Sequence, residues 1–185
     1  MSFEFENYNT NDLDILKKQL NSNEISICGI SKKCKFGFPQ IIFQNPVKEK
    51  KGKNTLNYET ISNLMWLTCP YLNFQIHELE NHSFIEKIKK IIQNNVVFKN
   101  AMLTAHAHYN TVRNFIFTKY AETLFIEKVN VIETGIGGIR NPNGIKCLHL
   151  HFCHYNICRD NIAGLITYQL LGQKTNCNDK ICGTL

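Results

Sequence analysis

In the stretch Leu64-Met65-Trp66-Leu67-Thr68-Cys69-Pro70-Tyr71-Leu72, a short apolar run ends abruptly at Cys-Pro. Five residues are too few for a buried helix, so Leu64 to Thr68 is expected to be an extended, buried strand. Proline is well placed in the first turn of a helix, where its missing N–H costs nothing. Beyond it Leu72, Ile76 and Leu79 recur at helical spacing through Glu80. This junction predicts a sheet in front and helices behind.

Upstream, Leu13, Leu16 and Leu20 mark a first helix over Asn11 to Leu20. Ile25, Ile27 and Cys28 suit a strand over Glu24 to Ile30, and Ser31 to Gly37 suits a turn. Ile41, Ile42 and Phe43 then suit a second hairpin strand within Pro39 to Pro46. Lys48 to Asn57 is expected to be a polar loop that contributes nothing to the core. Downstream, Phe84 to Ile92 and Val96 to Phe125 carry helical periods, and Val129 to Thr134 is expected to be extended. Asn161 to Leu171 reads as a helix closed by Gly172. The expected fold is α+β: a small N-terminal antiparallel sheet and a mostly helical remainder in one domain over 1–172. A polar tail with Cys177 and Cys182 occupies 173–185.

The 185 residues, 43% hydrophobic and 19% charged, suffice for one real core, which excludes a disordered or fibrous chain. No run approaches the roughly 18 to 20 apolar residues of a membrane helix. The start, Met1 to Asn7, is acidic and polar where a signal peptide is basic and then apolar. A cytoplasmic setting follows as the expectation, with reduced thiols. The net charge of +6 is concentrated partly in Lys48, Lys50, Lys51 and Lys53. A solvated loop accounts for that cluster more simply than a nucleic-acid face, although an anionic ligand fits it too.

With disulfides disfavoured, 8 cysteines and 7 histidines turn attention to metals. Thiolate and imidazole are zinc's preferred donors, and thiolates also hold iron–sulfur clusters. The densest segment is Lys146-Cys147-Leu148-His149-Leu150-His151-Phe152-Cys153-His154-Tyr155. As a helix it aligns Cys147, His151, His154 and Cys158 on one face; as a strand it aligns Cys147, His149, His151 and Cys153. The helix is the preferred form, with Asn143-Gly144 ahead of it. No Cys-x-x-Cys pair occurs, so a site must be assembled from distant segments. Cys34 in a turn and Cys69 before a helix are natural contributors, and Cys177 with Cys182 could clamp the same site or a second one. Cys28, Cys153 and Cys158 are expected to be ordinary buried thiols.

Two other groups compete for function. His106, Tyr109 and Arg113 fall on one helical stripe that could bind an anion or a substrate, or simply face solvent. Gly135-Ile136-Gly137-Gly138, with Arg140, could form an anion nest around Gly137, but a tight turn needing positive φ explains it better. It matches neither dinucleotide nor P-loop spacing. An alternative to a metal protein is a thiol-dependent enzyme, with Cys147 as nucleophile and a neighbouring histidine as base.

Four of these phrases together, Lys33-Cys34, Trp66 to Leu72, Gly135 to Ile139 and Lys146 to His151, resemble a bacterial family catalogued as domain of unknown function 501. The resemblance runs from about Leu13 to Leu171 and implies no established activity. It implies metal-capable positions at Cys34, Cys69, Cys147, His149 and His154, and a histidine–tyrosine–arginine helix like His106, Tyr109 and Arg113. The chain departs from the family at Cys34-Lys35, where relatives carry Cys-Pro, and at Thr60 to Asn63. On an ideal helix His149 and His151 lie about 200° apart, so the family's histidine and the helical face point in different directions. The expectation is one zinc ion, or an iron–sulfur cluster, shared by these dispersed donors.

Overall fold

The computed structural model describes residues 5–51, 56–124 and 134–185. The first helix, α1 (Thr10–Leu20), starts on a capping box in which Asn9 and Asp12 exchange side-chain and backbone bonds. Lys33 neutralises the buried Asp12 carboxylate at 3.0 Å. Three antiparallel strands follow in the order β1 (Ile27–Lys33), β2 (Pro39–Gln44) and, third in this sheet, the short run Met65–Leu67. Alternation along β2 divides the core. Ile42 faces Leu16, Ile27 and Ile30 under α1, whereas Ile41 and Phe43 face the larger, helical side. The sheet is therefore the middle layer.

The polar stretch read as a loop is instead a second hairpin. Strand β3 (Val47–Lys51) pairs antiparallel with β4 (Leu56–Thr60), Val47 lying opposite Thr60 and Lys51 opposite Leu56. Its lysine-rich composition hides the strand, because a two-stranded ribbon needs backbone pairing more than an apolar face. Lys53 and the expected strand up to Glu133 lie outside the described residues. The third strand of the main sheet, Met65–Leu67, is now β5. The run before Cys69-Pro70 is extended as expected, but it is buried on one face only, Met65 and Leu67 inside and Trp66 exposed.

Helix α2 (Pro70–Asn81) begins at that proline with Cys69 as N-cap, and packs with α3 (Phe84–Gln93) and the 29-residue α4 (Val96–Leu124). A short 3-10 turn (Ile136–Gly138) then leads to α5 (Leu148–Tyr155) and α6 (Ile162–Leu170). Helices α5 and α6 approach so closely that a Cβ at Gly164 would lie 2.2 Å from the His151 carbonyl oxygen. Helix α6 ends with Gly172 at φ 61°, where its N–H reaches Gln169 O, and the tail folds back over the first hairpin. Among the described residues the result is an α+β domain: a small antiparallel sheet near the front, followed by the five helices α2 to α6. No described helix is long and apolar enough to cross a membrane.

Candidate metal centre

The His/Cys-rich segment is helical, but the helix begins at Leu148, leaving Cys147 as an extended N-cap and Cys158 beyond its last turn. The donors expected to share one ion separate into three places. Cys147 and His149 meet Glu80 of α2; His154 meets His108 and Cys158; Cys34, Cys69, Cys177 and Cys182 gather elsewhere. Cys69 caps the start of α2 and Glu80 sits in its last turn, about 16 Å away at 1.5 Å per residue. The structure thus does not bring Cys69 and Cys147 together, and the donor group around Cys147 contains neither Cys34 nor Cys69. The 200° conflict between His149 and His151 disappears for the same reason, because each serves a different neighbour.

At the first place, Glu80, Cys147 and His149 bring one donor atom each within 4.8 Å of the others. Glu80 Oε1 accepts the Leu148 N–H at 2.5 Å, completing the first turn of α5 with a carboxylate from another helix. The same oxygen lies 3.2 Å from His149 Nδ1, and His149 Nε2 lies 3.3 Å from the Asn73 carbonyl oxygen. Burial pushes the Glu80 carboxyl up, but the bonds from His149 and the Leu148 N–H outweigh it, and its pKa falls below the ordinary value. Burial pushes the Cys147 thiol up against the opposing pull of the Leu150 N–H, and the Glu80 charge raises it further. The His149 and Glu80 side chains keep 24% and 20% exposure, so solvent reaches the trio.

The second place is drier. His154 is fully buried, and its Nε2 lies 3.0 Å from His108 Nδ1. Asn161 fixes its protonation. As N-cap of α6, Asn161 must turn Oδ1 to the Gly164 N–H at 3.0 Å, and the same oxygen accepts from His151 Nδ1 at 3.1 Å. Its N–H₂ then faces His154 Nδ1 at 3.1 Å, which must accept. The proton of neutral His154 is left on Nε2, where it donates to His108. A metal at Nε2 would instead need Nδ1 to carry a proton and find an acceptor, which the capping Asn161 cannot supply. Burial and the neighbouring His108, His151 and His106 push His154 well below the ordinary imidazole range. These rings form a neutral relay and not a ligand set.

The remaining candidates are engaged with the core. His106 accepts the Ile136 N–H on Nδ1 at 3.2 Å and donates from Nε2 to Pro142 O at 3.1 Å, pinning the glycine turn to α4. Tyr109 OH accepts the Leu64 N–H and donates to Ser62 O. Arg113 forks onto the Thr134 hydroxyl and carbonyl and bonds Asn110. All three are buried, so the expected solvent-facing stripe is an inward one. In the turn, Gly137 and Gly138 have φ of 73° and 81°, conformations that need glycine. The N–H groups of Gly135, Ile136 and Gly138 are already bonded to Ile139 O, His106 and Gly135 O, and Arg140 is exposed. The turn is closed against an anion on those donors. Cys153 is a buried thiol as expected, whereas Cys28 is half-buried, its thiol facing the Phe43 and Gln44 carbonyls and pushed up to about 12 by desolvation.

Sequence alone missed Glu80, Asn73, His108 and Asn161. Glu80 stands among ordinary surface acids of an amphipathic helix, and only the fold brings it across to α5. The Asp160-Asn161 pair ahead of a helical run does carry an N-cap signal, but nothing in it foretells bonds to two histidines.

A family profile described as protein of unknown function (DUF501) matches residues 30–169, and the chain belongs to that family. No curated protein and no solved structure matches it.

Proposed function

We propose that this protein binds one divalent transition-metal ion, zinc by its donor chemistry, through the Glu80 carboxylate, the Cys147 thiolate and His149 Nδ1. The observation that carries this is the setting of the His149 ring between two acceptors, Glu80 Oε1 and the Asn73 carbonyl. A neutral imidazole has one N–H and one lone pair, so one acceptor would face a lone pair. A proton or a metal ion at Nδ1 removes the conflict, and the Cys147 thiol in the same group favours the metal. The Nε2–H to Asn73 carbonyl contact is then the outer bond that orients a metal-bound histidine.

Distances agree with this reading. Two bonds of about 2.0 to 2.1 Å at a tetrahedral angle separate their donor atoms by about 3.3 Å, against 3.2 Å between Nδ1 and Oε1. Three protein donors leave a fourth position, and the partial exposure of His149 and Glu80 opens it to water. When bound there, zinc would act as a Lewis acid on that water or on a substrate oxygen. Glu80 would hold the charge and the start of α5 at once, and Asn73 would fix the ring. A single thiolate does not suit an iron–sulfur cluster, which draws on several. The nucleophile reading asks for a thiol lowered by its surroundings; burial and Glu80 raise Cys147 instead.

The test is zinc binding to metal-stripped protein by competition with a chromophoric chelator. Glu80→Ala, Cys147→Ser and His149→Gln should each weaken one site at least tenfold, while His154→Gln and Cys158→Ser leave it unchanged. Loss of zinc through the latter pair, with the former three silent, would refute the assignment.

A further inference from the structure

The third gathering of thiols lies where the tail crosses the front of the molecule. After α6 the chain reverses, and Gln40 Nε2 donates to Thr175 O at 2.5 Å, while the Lys35 N–H donates to Asn176 Oδ1 at 2.8 Å. Cys34 and Cys177 are the residues adjoining that second bond. Gln19 Nε2 donates to Pro39 O at 2.9 Å and touches Cys182 Sγ at 3.1 Å, and Thr68, next to Cys69, donates to the same carbonyl at 3.2 Å. The bonds to Pro39 O come from α1 and from Thr68 just after β5, and Gln19 carries the link on to Cys182 in the tail. Cys69 lies within electrostatic reach of Cys177 and Cys182, and Cys182 within reach of Cys34 and Cys177.

Apart from such polar contacts, including Lys18 Nζ on Leu185 O at 2.6 Å, the tail buries little. Across 173–185 only Cys177 and Cys182 are buried, and the other side chains are partly or fully exposed. Two residues, Gln173 and Lys180, adopt left-handed φ of 61° and 49°. Fixing such a segment costs backbone entropy at every residue, and covering two small thiols offsets little of it. A metal bond would add order beyond these surface hydrogen bonds. Cys177 and Cys182 are separated by four residues, within the spacing of paired ligands in structural zinc sites.

We propose that Cys34, Cys69, Cys177 and Cys182 form a tetrathiolate site for one zinc ion, which fastens the tail to the corner between the first hairpin and α2. This site is separate from the Glu80 centre and does not rest on it. The four sulfurs are not among the groups whose donor atoms all lie within 4.8 Å of one another. Closing the sphere therefore takes rotation of cysteine side chains toward a common point. Binding displaces four thiol protons for one zinc, leaving a complex of charge −2 beside the exposed Lys35 and Lys180.

The test uses the full-length protein, purified with reductant and zinc. Elemental analysis should find two zinc ions per chain; Cys177→Ser/Cys182→Ser should lose one, and Glu80→Ala/Cys147→Ser the other. In unmutated protein, zinc should slow alkylation of Cys34, Cys69, Cys177 and Cys182 together, at least tenfold by mass spectrometry. Trypsin should cut at Lys174 and Lys180 at least tenfold faster once zinc is stripped. Equal zinc in the unmutated and Cys177→Ser/Cys182→Ser proteins would overturn the proposal. So would alkylation of the four thiols at rates indifferent to zinc, a disulfide among them in place of metal, or iron with a visible chromophore. Failure of the Glu80→Ala/Cys147→Ser pair to lose zinc would count against the other centre alone.

Discussion

Lowering the pH should unfold this protein through its buried imidazoles, and His154 gives the effect in its cleanest form. It is completely buried, accepts from Asn161 on Nδ1 and donates from Nε2 to His108, so the folded state holds it neutral, well below its ordinary value of 6.5. The unfolded chain takes up a proton at about that value. Between the folded and unfolded values the unfolded state binds more protons, so stability is full above pH 6.5 and falls with acidity. At pH 5.0 the loss is about 1.5 pH units, or about 2 kcal/mol. His151, pushed down to about 4 by burial, adds a similar loss until the pH nears that value. Together they remove about 4 kcal/mol between pH 7.5 and 5.0, a large part of a typical domain's stability. Carboxylates contribute to the same slope, so the assay is a comparison. Urea unfolding followed by circular dichroism, with chelator throughout, is run on wild type and His154→Gln at both pH values. Glutamine offers an acceptor and a donor without titrating, and the variant should lose about 2 kcal/mol less than wild type over that interval. Equal losses in the two proteins would show that His154 is not held neutral, and the relay argument would fall with it.

Three further outcomes follow from individual contacts. Tyr109→Phe leaves the Leu64 N–H and the Ser62 carbonyl without the hydroxyl that serves both, and should cost about 1 to 3 kcal/mol in urea unfolding; an unchanged midpoint would deny the hydroxyl that role. Gly164→Ala sets a Cβ 2.2 Å from the His151 carbonyl and 2.6 Å from Tyr155 Cβ. Two helices must separate, so the loss should reach the upper part of the about 1 to 3 kcal/mol typical of overpacking, and a neutral result would contradict the close approach of α5 and α6. In metal-free protein at neutral pH, Cys147 should alkylate more slowly than glutathione, because burial raises its pKa. Rapid selective labelling there would revive the nucleophile reading.

The sequence determined most of the fold because its signals are local. Proline at position 70 closes β5 and opens α2, and the alternation of Ile41, Ile42 and Phe43 sorts two faces of a sheet without help from distant residues. Composition likewise pointed to cysteine and histidine chemistry, and the resemblance made Cys34, Cys69, Cys147, His149 and His154 the expected carriers. What composition could not do was divide those donors. The hairpin of Val47–Lys51 and Leu56–Thr60 is hidden by its lysine-rich first strand, which is held by backbone pairing and carries no apolar period. Only tertiary structure brought Glu80 to the start of α5, gave His149 and His154 different partners, and returned the tail to Gln19 and Gln40. The physical reason is that coordination and hydrogen bonding depend on atoms a few ångströms apart, whereas sequence patterns record only which face of a helix or strand a residue occupies.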